Sequence, residues 1–206
     1  IVIFLQIEVG AMKNFTYVIG DEESAEAAVI DPSWDLDAVL ATVNENNLHV
    51  SYIINSHSHR DHTLGNQELA NRTGAKIVAH RNARTQHDVS VDDGDIVHVG
   101  QLKVKIIYTP GHTAESICLL VENKLMTGDT LFVGECGRTD LPTGSSEQLY
   151  DSFFSKILVL DDDIEVCPGH HYGDRPISTI GHERKTNYTL KPRTKVEFIN
   201  FINEPT

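Results

Sequence analysis

Ser56-His57-Ser58-His59-Arg60-Asp61-His62 sets three imidazoles and a carboxylate almost side by side. Neutral imidazole and carboxylate are the groups that zinc, iron and manganese accept as ligands. His57 and His59 are two positions apart, so in an extended chain they point the same way. Asp61 and His62 lie just beyond, where a turn aims them at a second metal position. A solvated histidine-rich loop would have the same composition, so the flanking sequence decides. Tyr52-Ile53-Ile54-Asn55 runs straight into the cluster and reads as a short buried strand.

Other stretches end the same way. Lys103 to Tyr108 alternates and breaks at Thr109-Pro110-Gly111-His112. Lys124-Leu125-Met126 runs into Thr127-Gly128-Asp129, and Ile164-Glu165-Val166-Cys167 into Pro168-Gly169-His170. Each is an apolar strand, a Gly or Pro that permits a sharp turn, and then a metal-capable side chain. Loops leaving one edge of a rigid scaffold converge on a pocket. The spacing therefore points to a shared metal site.

His57-x-His59-x-Asp61-His62 followed by His112, Asp129 and His170 resembles the metallo-β-lactamase superfamily pattern, with every ligand position occupied. The resemblance implies an α/β fold, an αββα sandwich of two packed mixed β-sheets flanked by helices. It also implies a division of labour. His57, His59 and His112 would bind a first metal; Asp61, His62 and His170 would bind a second; Asp129 would bridge them.

Size and composition fit one such domain over residues 1–206. The chain has 206 residues, 40% hydrophobic and 23% charged, which is ordinary for a soluble protein able to bury a core. No stretch approaches the roughly 18 apolar residues of a membrane span. Ile1 to Leu5 is short and has no basic flank, so it reads as an edge or hairpin strand and not as a signal peptide. Cys118, Cys136 and Cys167 make no paired framework, so a cytoplasmic location is expected. The formal net charge of −13 repels phosphate backbones and argues against nucleic acid as a partner. A small-molecule thiol is the expected partner, with a homodimer possible and no membrane.

The pattern along the chain gives an order of elements. Thr16–Ile19 and Ala27–Ile30 form a hairpin, closed by Asp31-Pro32. Leu36–Asn46 has helical spacing with Asp35 as cap, and Gly65–Arg72 is a second helix stopped near Gly74. Lys76–Ala79 is a strand. Ile96–Val99 and Val104–Tyr108 pair around Gly100, and Ser116–Val121 turns back through Glu122-Asn123 into Lys124–Met126. Ser145–Leu158 reads as one helix. Val196, Ile199, Phe201 and Ile202 mark a closing helix. The elements recur in two similar halves.

A bound divalent ion lowers the pKa of its water and polarises a carbonyl. With two Zn, Fe or Mn ions, a bridging hydroxide attacks a thioester, lactone or amide, and Asp61 orients or deprotonates it as the catalytic carboxylate. With one Fe(II), His57, His112 and Asp129 form a facial triad that leaves positions open for oxygen and substrate. Ligand types alone do not choose between them. The segments Gly134-Glu135-Cys136-Gly137-Arg138-Thr139-Asp140, Pro168-Gly169-His170-His171-Tyr172-Gly173 and Ala28-Val29-Ile30-Asp31-Pro32 resemble the persulfide dioxygenase branch. Glyoxalase II, a thioester hydrolase, shares the ligands and a Cys-Gly-Arg segment but carries a longer C-terminal helical region than the residues after His170 provide. The resemblance implies oxidation of glutathione persulfide by O₂ to sulfite and thiol, with Arg138 and Tyr172 holding glutathione. Arg138 has an equal alternative, a salt bridge to Asp140. Cys136 and Trp34 read as packing residues. His171, where related branches carry an acid, points away from the metal if the chain is extended. His49, His80, His87, His98 and His182 read as surface or satisfied core residues.

Overall fold

The computed structural model describes residues 1–205. β1 (Val2–Val9) and β2 (Asn14–Asp21) form an antiparallel hairpin, and β2 pairs in turn with β3 (Glu26–Ile30). From β3 the chain crosses over through α1 (Leu36–Glu45) to β4 (His49–Ile54). It then passes α2 (Arg60–Thr63) and α3 (Asn66–Thr73) to β5 (Lys76–His80) and β6 (Val89–Val91). These last pairings are parallel, so the first sheet, in the order β1-β2-β3-β4-β5-β6, is mixed.

The second half builds its sheet around an antiparallel meander. It comprises β7 (Ile96–Val99), β8 (Leu102–Tyr108), β9 (Ile117–Val121) and β10 (Lys124–Gly128). A small hairpin, β11 (Leu131–Phe132) and β12 (Glu135–Cys136), stands apart. After α4 (Ser146–Ser152), β13 (Glu165–Pro168) returns parallel to β10, and β14 (Ser178–Thr179) closes the edge. α5 (Ile180–Thr186) and α6 (Lys195–Asn203) complete the chain. No helix among the described residues is long and apolar enough to cross a membrane.

Strand alternation creates the layers. In β2, Phe15, Tyr17 and Ile19 face the second sheet, while Val18 faces α1 with Val39 and Val43. In β9, Ile117, Leu119 and Val121 meet that inner core, while Cys118 joins Leu149, Phe153 and Phe198 beneath the helices. A strand covered on both faces is buried throughout, as all of β2 is. Each fully buried aliphatic side chain contributes roughly 1.5–3 kcal/mol. The result is the expected αββα sandwich of two mixed sheets.

Several expectations need correction. The helix expected over Ser145–Leu158 is α4 capped by Ser145, whose side chain accepts from the Gln148 N–H, followed by a π-helical segment over Phe153–Ile157. Leu149, Phe153 and Ile157 share the buried face, as their four-residue spacing requires. The closing helix exists, but Phe198 is its buried anchor and Val196 is exposed. Its start is a capping box between Thr194 and Glu197, a stop-start signal the apolar pattern does not contain. α5, β6, β11, β12 and β14 are too short to generate periodicity. Asp35 caps α1 through the Ala38 N–H, and Gly74 ends α3 in the left-handed region, as expected.

Candidate metal centre

The candidate ligand loop leaves β4 held by several side-chain bonds. Asn55 Nδ2 donates to the carbonyl of His62 and to Asn66 Oδ1, which closes the loop over α2. Ser56 donates from both N–H and Oγ–H to Asp31, at 2.8 and 2.6 Å. The expected turn after His59 is the single helical turn α2, and it projects Asp61 and His62 into the interior. His112 follows the turn after β8, Asp129 the end of β10, and His170 the end of β13.

All seven expected side chains come together. His59 Nδ1 lies 3.1 Å from His57 Nε2 and 3.0 Å from His112 Nε2. On the other side His62 Nε2, His170 Nε2 and Asp61 Oδ2 form a triangle with every edge 3.2 Å. Asp129 lies between the two groups. Its Oδ2 is 3.5 Å from His112 Nε2, 3.9 Å from His57 Nε2 and 3.3 Å from His170 Nε2, and its Oδ1 is 3.2 Å from His62 Nε2.

These spacings suit a cation. Metal–ligand bonds of ~2.0–2.1 Å give ligand–ligand edges of about 3.0 Å at octahedral and about 3.4 Å at tetrahedral angles. Asp129 Oδ1 is buried with no hydrogen-bond partner, because its approach to His62 lacks hydrogen-bond geometry. A buried, orphaned carboxylate oxygen is costly unless something positive meets it. Nitrogen and oxygen donors without thiolate suit zinc, iron or manganese.

The tautomers are set from behind. His62 Nδ1 faces Asp31 Oδ2 at 2.9 Å, His112 Nδ1 faces the Arg138 carbonyl at 2.7 Å, and His170 Nδ1 faces the Met12 carbonyl at 2.9 Å. His57 Nδ1 lies 3.0 Å from Ser56 Oγ, whose own proton goes to Asp31, so that oxygen is left to accept. Each acceptor keeps the proton on Nδ1 and leaves the Nε2 lone pair facing the centre.

The electrostatics agree. Burial, then the neighbouring imidazole of His62, holds His57 well below its ordinary pKa. Burial opposes the charge on His62, but the Asp129 and Asp31 carboxylates outweigh it and raise the ring well above the ordinary value. His170 is likewise pulled down by burial yet pushed up to about 9 by its bonds to Asp129 and Asp61. Asp129 resists burial and stays well below the carboxylate range because of His62 and His170. Without a cation, protons on His62 and His170 would offset the Asp129 and Asp61 charges; a divalent ion would displace the Nε2 protons and take up the freed lone pairs.

Glycine is required at two places. Gly128 has φ +49°, and a Cβ there would lie 2.5 Å from Ser56 Oγ. A Cβ on Gly137 would come 1.7 Å from the Asp129 carbonyl oxygen.

Other expectations meet mixed outcomes. The Arg138 guanidinium forks onto Asp140, at 2.6 and 2.9 Å, which is the salt-bridge alternative; its carbonyl orients His112. Tyr172 is exposed at the rim, its ring stacked on His170 at 4.6 Å. His171 turns away to Glu8 and Phe15, as an extended chain requires. Trp34 packs at the surface, its ring laid over Gly10. It is 45% exposed, and its Nε1 donates to Asn14 Oδ1. Asn14 Nδ2 in turn donates to Asp61 Oδ2. Cys136 is buried, as are Cys118 and Cys167, and all are free. His80 is buried against the Tyr108 ring.

Asp31, Asn14 and Ser56 orient the candidate ligands, and the sequence reads Asp31 as the end of a hairpin and part of the family resemblance, not as a partner of His62.

A family model for the metallo-beta-lactamase superfamily matches residues 9–87 and 82–170. The mitochondrial persulfide dioxygenase ETHE1 of Homo sapiens is 35% identical over 195 residues, covering 92% of this chain and 74% of that protein. The hydroxyacylglutathione hydrolase of Pelagibacter ubique is 34% identical over 189 residues, covering 89% and 77%. The crystal structure of ETHE1 from Myxococcus xanthus superposes with a TM-score of 0.93 at 37% identity, covering 98% of this chain and 92% of that one. The ligand cluster, the two mixed sheets and these likenesses agree: the chain belongs to the metallo-beta-lactamase superfamily, in the group of metalloenzymes that includes persulfide dioxygenases and hydroxyacylglutathione hydrolases.

Proposed function

We propose that the protein oxidises glutathione persulfide, or a related small persulfide, with O₂. The observation that carries the reading is the near-complete superposition on ETHE1 from Myxococcus xanthus, in line with the similarity to the human persulfide dioxygenase. The overall change is RSSH + O₂ + H₂O → RSH + SO₃²⁻ + 2H⁺. The S–S bond breaks, sulfur loses four electrons net, and O₂ gains them. His57, His112 and Asp129 supply two imidazoles and one carboxylate, the donor set of a facial triad. An Fe(II) ion held there would activate O₂ and leave positions open for the persulfide sulfur.

The protein's own residues supply the surroundings. Tyr172 at the rim, and Arg138 after release from Asp140, help hold glutathione by a directed hydrogen bond and a forked ion pair. Arg138 and Asp140 border a cavity of about 800 Å³ against α6. The protein thiols take no part, since all are buried.

A second reading, thioester hydrolysis at two ions, is favoured by the tight Asp61–His62–His170 triangle, which offers a full second ligand set. There Asp61, partly open to solvent, orients or deprotonates the attacking water. Elemental analysis of protein purified without added metal, paired with an oxygen electrode and glutathione persulfide, separates the two. One iron per chain with oxygen uptake supports the first. Two metals, thioester cleavage and no uptake support the second. His59→Ala sharpens the test: it retains iron in the first reading and loses a needed ligand in the second.

A further inference from the structure

Arg84 carries an unpaired guanidinium in a chain whose formal net charge is −13. Arg84 is exposed, and its guanidinium makes no ion pair or hydrogen bond among the described residues. Its backbone is held in place: the N–H groups of Arg84 and Thr85 both donate to Ser58 Oγ, at 3.0 and 3.2 Å. Ser58 sits between the ligands His57 and His59, so this loop is fastened to the metal centre.

Directly behind Ser58 lies Glu115. It is only 6% exposed, its Oε1 accepts the Ser58 N–H at 2.9 Å, and no cation pairs with it among the described residues. A buried carboxylate with no cation leaves Coulomb attraction unused. Arg84 and Glu115 do not pair with each other, yet both line the same cavity of about 330 Å³. His59 forms one side of it, and Leu141, Pro142 and Thr143 form another. The cavity therefore presents an unpaired guanidinium and a carboxylate without a cation, apart from each other, beside the candidate ligand His59.

An ammonium and a carboxylate on one carbon match that pattern. We propose that this cavity receives the α-amino-acid head of the thiol substrate, with Glu115 taking the ammonium and Arg84 the carboxylate. The proposal rests on the reading that the substrate is a small thiol derivative. The head comes either from the γ-glutamyl end of glutathione or from a cysteine derivative, and the chemistry recognised is the same. Arg84 and Glu115 are then specificity residues of the centre, and Arg138 remains for the glycyl carboxylate.

The test is calorimetric binding of S-methylglutathione to the metal-loaded protein, which needs no turnover. Arg84→Gln should raise Kd about tenfold, the scale of one solvent-accessible charge-assisted hydrogen bond, and Arg84→Lys should raise it less. Glu115→Gln keeps an acceptor for Ser58. It should weaken S-methylglutathione about tenfold yet leave the N-acetylated analogue, which has no ammonium, unaffected. Binding of S-methylcysteine with the same Arg84 dependence would assign the head to a cysteine derivative; binding of the tripeptide alone would assign it to glutathione. Wild-type Kd values in both Arg84→Gln and Glu115→Gln, at wild-type metal content, would overturn the proposal. So would equally tight binding of the N-acetylated analogue to the unaltered protein. Arg84 is exposed, so its variant folds regardless. Arg84-dependent binding without oxygen uptake would remove the dioxygenase reading alone, and oxygen uptake without Arg84 dependence would remove this subsite alone.

Discussion

Asp31→Asn isolates the orientation of His62 from its presence. The carboxylate of Asp31 is buried; Oδ1 accepts the Ser56 N–H at 2.8 Å, and Oδ2 serves both Ser56 Oγ at 2.6 Å and His62 Nδ1 at 2.9 Å. Asparagine keeps the shape and one oxygen. If that oxygen stays on the Ser56 N–H, the amide NH₂ faces His62 Nδ1, and the ring must move its proton to Nε2, where it can no longer bind a cation. If the amide flips, its NH₂ meets the Ser56 N–H, donor against donor. Either arrangement leaves a buried donor unpaired, at about 1–3 kcal/mol. Loss of such an outer partner typically lowers metal affinity 10–100-fold, which is about 1.4–2.7 kcal/mol. Chelator competition, titrating Zn²⁺ into metal-free protein, reads this directly. The expected outcome is a 10–100-fold weaker second ion. Asp37→Asn, which makes the same charge change on an exposed helix paired to Arg72, is the control and should change nothing. Unaltered affinity at both ions in Asp31→Asn would refute the tautomer argument.

Further outcomes follow from burial and charge. His170, raised to about 9 by Asp129 and Asp61, stabilises the metal-free fold fully below pH ~6.5 and loses that contribution as the pH rises through about 9. The gain in Tm on adding Zn²⁺ should therefore be larger at pH 9 than at pH 6.5, and a gain independent of pH would contradict the assignment. Burial pushes Cys118 up to about 11 and Cys136 and Cys167 up to about 12. At pH 8 only about a thousandth of Cys118 is thiolate. Ellman's reagent should find almost no reactive thiol in the native protein and three after denaturation; a rapidly reacting native thiol would speak against it. Phe198→Ala should destabilise by about 3–5 kcal/mol, while Val196→Ala stays within about 0.5 kcal/mol. Chemical denaturation measures both, and equal effects would place the α6 anchor elsewhere.

The candidate ligands were legible because His57 to His62 cluster directly after an apolar strand, and His112, Asp129 and His170 each follow one through a Gly or Pro turn, a local pattern with a local cause. The two-layer architecture entered through that ligand pattern and its family resemblance. What escaped has no local signature. Asp31 looks like any acid before a proline; its role depends on Ser56 and His62, which lie far along the chain. Trp34 reads as a packing residue and does pack on Gly10, but its indole hydrogen bond to Asn14 exists only after folding. In α6 the periodicity of Val196, Ile199 and Ile202 was real, but the surface it packs on was unknown, so the anchor Phe198 was not distinguished from its neighbours. The π-helical segment likewise responds to packing and not to propensity.

His57, His59, Asp61 and His62 hang from the first sheet, and His112, Asp129 and His170 from the second. Backbone bonds stitch the same line: Phe15 N–H to the Gly169 carbonyl and Ile117 N–H to the Ser56 carbonyl, both at 2.9 Å. The two sheets are thus like covers of a book, and any cation held there is a rivet through its spine. Prising the covers apart would eject such a rivet in the same event, so Tm should rise as the site is loaded and fall back when a chelator empties it.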